Sequence, residues 1–408
     1  MILKNEYYII LYHNRPLKSI VLRKFISVLA KKTFICYNKK RYIKRIFVGD
    51  KMKDTAKKIY GYIADEIISD RFACPCAKVD IYTNPAQLLL DGQKDRMARI
   101  CSDSKEFRYN KMSDYERFRA FVDALPKMAW SGAYELFFEE LSLFFDCEIT
   151  GAIDVRELWK ALCEKMSETI LDLDAILKKC SVAVCKNNYL PIICKGGDYS
   201  ALVDKNLKNL ADISDGIAAI DISEIEFSVT DRYHADMACR AYSEGDESQK
   251  DIIMSALLYS ICEFAKKSDI TLYLYIGDNY TSASAIISYF EGRGILPNIR
   301  IFASDSICYR VAKELCGVYD IGSSEIRIDL GLVYAEGDTV KSIADKVKNI
   351  ARVYPVGELA IGGSRSSSPV FAAADALLKK GIAEALAEMC DNEEQAMLCA
   401  DSIIKNSK

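Results

Sequence analysis

The strongest constraint on this chain is an alternation that begins near residue 181. Short apolar runs recur there: "SVAVCK" (181–186), "GIAAIDI" (216–222) or "IEFSV" (225–229), "TLYLYIG" (271–277), "NIRIFA" (298–303), "EIRIDLGLVY" (325–334) and "GELAIGG" (357–363). Amphipathic stretches such as "KDIIMSALLYSICEFAKKS", "ICYRVAKELCG" and "TVKSIADKVKNIARVY" separate most of them. Strand followed by helix, repeated, implies parallel pairing through right-handed crossovers. With "KVDIYT" (78–83) added upstream, the chain offers seven or eight strands. That number suits a (β/α)8 TIM-like barrel better than an open doubly wound sheet, although periodicity alone leaves both open. In a barrel, the chemistry sits where the strands end.

Between the first strand candidate and the rest lies a helical block, residues about 88–178. "SDYERFRAFVDALPKMAW" opens with a capping box, Ser113 to Glu116, and carries a stripe through Tyr115, Phe118, Phe121 and Val122. "SGAYELFFEELSLFF" and "VRELWKALCEKMSETILDLDAILKK" continue in the same period, and Phe137, Phe138, Phe144 and Phe145 read as core. The barrel is thus expected over 52–408, with 88–178 as a helical insertion after its first strand.

Charge divides the chain. Residues 1–51 hold 13 Lys/Arg against Glu6 and Asp50, a local +11, while the remainder holds 42 Lys/Arg against 56 Asp/Glu, −14. The first segment mixes basic, aromatic and aliphatic residues without a period, which fits either a basic arm or an extension of no defined structure. It offers neither a membrane-length apolar run nor a secretory cleavage pattern. Residues 53–408 show no basic aromatic platform, so nucleic acid is not an expected partner.

Fifteen cysteines are scattered without a CxxC or Cys/His repeat, which points to reduced thiols in a cytoplasmic protein. Only two histidines, His13 and His234, occur in the whole chain. A His-rich metal site is therefore impossible.

Several stretches resemble the uronate isomerase family, metal-dependent barrels of the amidohydrolase type that interconvert glucuronate or galacturonate with ketoses. The likeness runs in order through "KVDIYTNP", "DGQKDRMAR", "SDYERFRAFVDALPKMAWSGAYELFFEELSLFF", "VRELWKALCEKMSE", "LYIG", "GLVYAE" and "GGSRS". The departures fall on the metal site. Asp80 and Tyr82 stand where the resemblance implies the first strand's two histidines, and Gly92-Gln93 replaces a His-Tyr pair. Tyr275 replaces the histidine of the later strand, and Gly363 stands where a metal-binding Asp belongs. Asp91, Lys94, Arg96, Arg99 and Arg365 are kept, while "GLVYAE" ends in Glu336 with both of the family's tryptophans gone.

These losses leave no zinc-type ligand set, so no cofactor is expected. Isomerisation without metal would need a carboxylate base paired with cationic electrophiles. Asp80, Glu336, Arg96 and Arg365 are the candidate catalytic groups, with Arg365 facing a sugar-acid carboxylate in bidentate fashion. Tyr82, Arg99, His234, Tyr275 and Ser364 are the candidate substrate-binding groups, and Asp231 accompanies His234. Three readings follow: a uronate isomerase, a non-catalytic sugar-acid-binding homologue, or a sugar-phosphate enzyme using the Gly362-Gly363-Ser364 turn at a helix start. A small-molecule sugar acid is the expected partner, no membrane span is expected, and assembly into a homo-oligomer is left open.

Overall fold

The protein is described here from a computed structural model, which places residues 53–64, 68–70, 82–90, 92–101, 109–149, 153–168, 182–184, 189–213, 216–316, 325–331, 337–362 and 369–407. Six strands are described: β1 (Ile68–Asp70), β2 (Val182–Val184), β3 (Ile217–Asp221), β4 (Thr271–Gly277), β5 (Ile299–Ala303) and β6 (Ile326–Asp329). β1 pairs with β2, and β3-β4-β5-β6 form a four-stranded sheet, every pair parallel. Isolated parallel bridges extend that sheet on both sides, Tyr189 to Ala219 and Asp329 to Ala360. The sheet order therefore follows chain order throughout.

Around the strands lie α1 (Asp54–Ala64), α2 (Pro85–Leu89), α3 (Gly92–Cys101), α4 (Asp114–Ala124), α5 (Gly132–Phe145), α6 (Val155–Glu168) and α7 (Tyr199–Ala211). They are followed by α8 (Arg232–Ser243), α9 (Lys250–Lys267), α10 (Tyr280–Gly292), α11 (Asp305–Val311), α12 (Val340–Ala351), α13 (Pro369–Met389) and α14 (Glu393–Ser407).

Strand periodicity sorts the sheet's side chains into two apolar layers. Ala218, Ile220, Leu272, Leu274, Ile276, Ile299, Ile301, Ile326 and Ile328 join the main core with helix residues such as Ile261, Ile286, Phe290 and Val347. Ile217, Ala219, Tyr273 and Phe302 make a separate cluster, with Tyr189 and Tyr275 packed against it. Burial on both faces explains why these strands read as near-continuous apolar runs.

Among its described residues the helical stretch forms α3 to α6. Ser113 caps α4 with a complete capping box, its backbone N–H donating to Glu116 Oε2 at 2.8 Å. The aromatic stripe is core: Phe118, Phe121, Phe137, Phe144 and Phe145 are buried, and Phe121 meets Phe137 edge-on at 4.9 Å. A buried ion pair, Lys94 to Glu140, joins α3 to α5. Removing one partner would leave a lone charge in the core.

Of the alternatives "GIAAIDI" and "IEFSV" the first forms β3, and one other strand expectation is cut short. "IEFSV" forms no strand, because Ile225 N–H turns back to Ile222 O at 3.2 Å and the Asn279 side chain fastens both carbonyls. "GELAIGG" contributes only the Ala360 bridge among its described residues, and "KVDIYT" lies outside them through Ile81. β1 at Ile68–Asp70 is too short to show a period and was not among the expected strands. The described strands number six, fewer than the seven or eight expected.

α13 packs lengthwise on α12, and Gly381 permits the approach. A Cβ there would lie 2.4 Å from Ile343 Cγ2 and 2.6 Å from its Cβ. In an exposed helix, Gly→Ala gains about 1 kcal/mol. Gly381→Ala should do the reverse and destabilise by about 1–3 kcal/mol through overpacking. A urea titration showing a lower midpoint at unchanged slope would bear this out.

Candidate functional site

The ends of β3 to β6 are fastened to one another by side chains. After β3, Asp221 Oδ1 accepts from Ser223 N–H at 3.0 Å and from its hydroxyl at 2.6 Å. After β4, Asp278 accepts from the hydroxyls of Ser304 and Ser306, which follow β5. Those two hydroxyls hold the Asp278 carboxyl below the usual aspartate value. Ser304 N–H also donates to Gly277 O at 3.0 Å. Beside them Lys346 of α12 bridges Asp305 at 2.7 Å and Asp338 at 2.6 Å. The two carboxylates raise its ammonium above the ordinary lysine value against the opposing effect of burial.

The most buried acid in this region is Asp329, at the end of β6 and 1% exposed. Its Oδ2 accepts from the Tyr273 hydroxyl of β4, and its Oδ1 accepts from Gly331 N–H at 2.7 Å and Gly362 N–H at 2.8 Å. Burial pushes this carboxyl above its ordinary value, against the pull of those three donors and of Arg300. Gly362 has no alternative here, since a Cβ would fall 1.8 Å from Tyr273 Oη. The first glycine of "GGSRS" is thus a packing glycine, and its N–H is committed to Asp329. Sequence reading missed Asp329 and Tyr273. The available signal was a charged residue within the apolar run "IRIDLG".

The candidate residues fall as follows. Tyr275 lies near the end of β4, half-buried, its ring 5.8 Å from that of Phe302. Tyr82 lies half-buried just before α2. Arg96 is exposed on α3. Arg99 pairs with Asp95 at 3.2 Å and sits over the Tyr109 ring. Asp95 also accepts from Tyr109 and Arg117, so Arg99 belongs to a network within the helical block. Burial and Asp95 push the Tyr109 phenol up to about 12. His234 is exposed in the first turn of α8, where its N–H and Nδ1 both meet the capping Asp231 Oδ1 at 2.8 Å. Asp80, Asp91, Glu336, Gly363, Ser364 and Arg365 lie outside the described residues.

No family model matches the sequence, and no curated protein is significantly similar to it. Solved structures do resemble the fold. A uronate isomerase from Thermotoga maritima superposes with a TM-score of 0.65 at 12% identity, covering 86% of this chain and 95% of its own. A glucuronate isomerase from Caulobacter crescentus gives 0.61 at 11% identity, covering 89% and 95%. A putative metal-dependent hydrolase from Lactobacillus casei gives 0.52 at 11% identity, covering 86% and 96%. The class is an α/β fold of parallel strands and enclosing helices. Within it, the chain has a distant uronate isomerase-like fold.

That fold raises the question of a metal. Among the described residues, no three His, Cys, Asp or Glu side chains gather as a ligand set. His234 is tied to Asp231 on a helix surface, and the β4 end carries the phenol of Tyr275. A neutral phenol is a poorer metal ligand than a neutral imidazole, whose ring nitrogen offers a lone pair directly. The described donors do not fit a zinc-type centre. Among the described residues no helix is long and apolar enough to cross a membrane.

Asp329 generates a test with a definite sign. The folded form holds the proton more tightly than the unfolded chain, so unfolding releases it. Stability should fall as pH rises from the ordinary aspartate range near about 3.9 to the folded value, then level off. Asp329→Asn should lose that slope while keeping an acceptor for both N–H groups. Asp329→Ala orphans three donors at about 1–3 kcal/mol each and should lose at least about 3 kcal/mol. Urea titrations across pH would read both effects.

Proposed function

We propose that this chain is a uronate isomerase relative built as a (β/α)8 barrel, which binds a sugar acid at the C-terminal rim of its strands without the family's metal. The observation that carries the reading is the fold likeness to isomerase structures over 86–89% of the chain. Strand order supports the barrel. Parallel neighbours pair β1 with β2 and, separately, run from the Tyr189 bridge through β3, β4, β5 and β6 to Ala360, each in chain order and without the reversal that defines a doubly wound sheet. The side-chain ties at the ends of β3 to β6 cluster at the rim where barrels place their sites.

In this reading Arg365 follows the Ala360 segment and takes the sugar carboxylate in a two-point contact. Tyr82, Tyr275 and Ser364 offer hydroxyls to the sugar, whereas Arg99 and His234, also candidates for it, are held in the helical block and on the surface of α8. Asp80 and Glu336 are the carboxylates able to take a proton from the carbon beside a carbonyl, and Arg96 is the cation that would steady the resulting enediolate. A sugar-phosphate reading fares less well, because the Gly362 N–H it would use already serves Asp329.

Ligand-dependent melting decides between them. Glucuronate or galacturonate at a hundredfold over Kd stabilises by about 2.7 kcal/mol, enough to read as a shift. The proposal expects that shift from uronates but not from neutral hexoses, and its loss in Arg365→Ala. A response to phosphorylated sugars alone, or to none of these, overturns it. Following glucuronate by proton NMR, with and without added Zn²⁺ or Mn²⁺, then separates a working isomerase from a binding homologue.

A further inference from the structure

Seven large apolar side chains stand exposed among the described residues, and three of them fall together. Tyr233 and Met237 lie one turn apart on α8, 69% and 50% exposed, and Val229, 64% exposed, precedes them by the same four-residue step. Single exposed apolar residues are ordinary, whereas a run at helical spacing marks a contact surface. The opposite face of α8 is already occupied. Ala235, Ala238, Cys239 and Tyr242 pack there with Leu202 of α7 and Leu257 of α9. The helix is fixed at its start as well, capped by Asp231 and tied to α7 by Arg232 Nη2, which donates to Ser200 Oγ at 2.7 Å.

Farther along the same face the surface changes character. Helical spacing puts Arg240 in line with Tyr233, and Asp236 beside them. Arg240 is exposed, Asp236 is half-buried, and neither has an ion-pair partner among the described residues. A cavity of about 340 Å³ opens beside Arg240, between the start of α7 and the second half of α8, lined also by Gly197, Asp198, Cys239, Ser243 and Glu244. One helix face thus carries an apolar projection, a cavity, a cation and a carboxylate.

We propose that two copies of this chain meet here, α8 against α8, antiparallel about a two-fold axis at Met237. A two-fold contact requires a surface complementary to itself. At about 1.5 Å per residue, Tyr233 of one copy then lies level with the partner's Ala241, and Arg240 level with the partner's His234. Helical side chains lean toward their own N-terminus. Tyr233 therefore leans toward the partner's Ser243 and Glu244 at the cavity, and Arg240 leans toward the partner's Asp236. Each pairing occurs twice, so the apolar projections meet cavities and the unpaired cations meet carboxylates. One helix face per copy is small beside the roughly 1,600 Å² of a standard interface, so the dimer is a weak one, with a Kd on the order of 10 µM. This inference does not depend on the ligand proposed above.

Sedimentation velocity of the full-length protein from about 1 to 200 µM reads the association directly. The average mass should rise from that of the 45.9 kDa chain toward twice that value and no further. Tyr233→Asp should remain monomeric throughout, with unchanged circular dichroism. Arg240→Glu and Asp236→Arg each oppose like charges, and each alone should weaken the dimer at least about tenfold. Mixed one to one, these two variants should associate again, because both cross-contacts then join opposite charges. Should Asp236→Arg disturb the fold, Tyr233→Asp at its exposed position carries the test. A wild type that stays monomeric, an assembly larger than a dimer, a dimer indifferent to Tyr233→Asp, or folded charge variants that fail to associate on mixing would each overturn the proposal.

Discussion

The carboxylate of Asp329 is the point on which the described sheet converges. It sits where water is excluded, so each donor that reaches it is worth more than at the surface and each missing donor costs more. The donors come from three different parts of the chain: a β4 side chain, the backbone just past β6, and the backbone at Gly362. The ladder between β6 and the Ala360 segment is short, resting on Leu330 N–H to Ala360 O at 2.9 Å and Ala360 N–H to Ile328 O at 3.0 Å. A side chain that adds a contact at Gly362 extends that pairing beyond the ladder. α14 holds the same segment from its other side through Asn406 and Ser407. The chain entering "GSRS" is thereby held by a buried acid on one side and a helix end on the other.

What the sequence disclosed depended on whether the controlling interaction was local. The Ser113–Glu116 capping box, the aromatic stripe of α4 and α5, and the apolar runs of β3 to β6 were legible because each is written in neighbouring residues. "IEFSV" has the composition of a strand, but both edges of β3 are already occupied, by β4 and by Tyr189, and the chain turns at Ile222–Ile225 instead. Gly362 shows the opposite failure. Its meaning is set by a Tyr 89 positions earlier in the sequence and an Asp 33 positions earlier, so a Gly-Gly-Ser turn read alone resembles a phosphate cradle. The "DGQKDRMAR" segment was legible as a helix, whereas the internal pairings of Lys94 with Glu140 and Arg99 with Asp95 required the packed helices to be seen.

The uronate isomerase likeness and the unfit metal donors are compatible because fold and metal chemistry rest on different residues. The strand core is carried by Ile, Leu and Ala facing the helices, and none of these is a ligand. The opposite face of β4 presents Tyr273 and Tyr275, one a donor to Asp329 and the other packed on Phe302. Phenols at such positions fill space and donate single hydrogen bonds without demanding a cation.

A metal ion held by ligands from several strands also ties those strands together, and its binding energy contributes to folding. Where the described residues gather no such ligand set, the strand ends need other ties. The described strand ends supply them in hydrogen bonds: Asp221 with Ser223, Asp278 with Ser304 and Ser306, Asn279 with the carbonyls of Ile222 and Ile225, and Asp329 with Tyr273 and Gly362. Three of the four links join different strands or the turns that follow them. Each is modest by itself, at about 1–3 kcal/mol where a carboxylate accepts. Together they give the described strand ends an order that does not wait on a ligand.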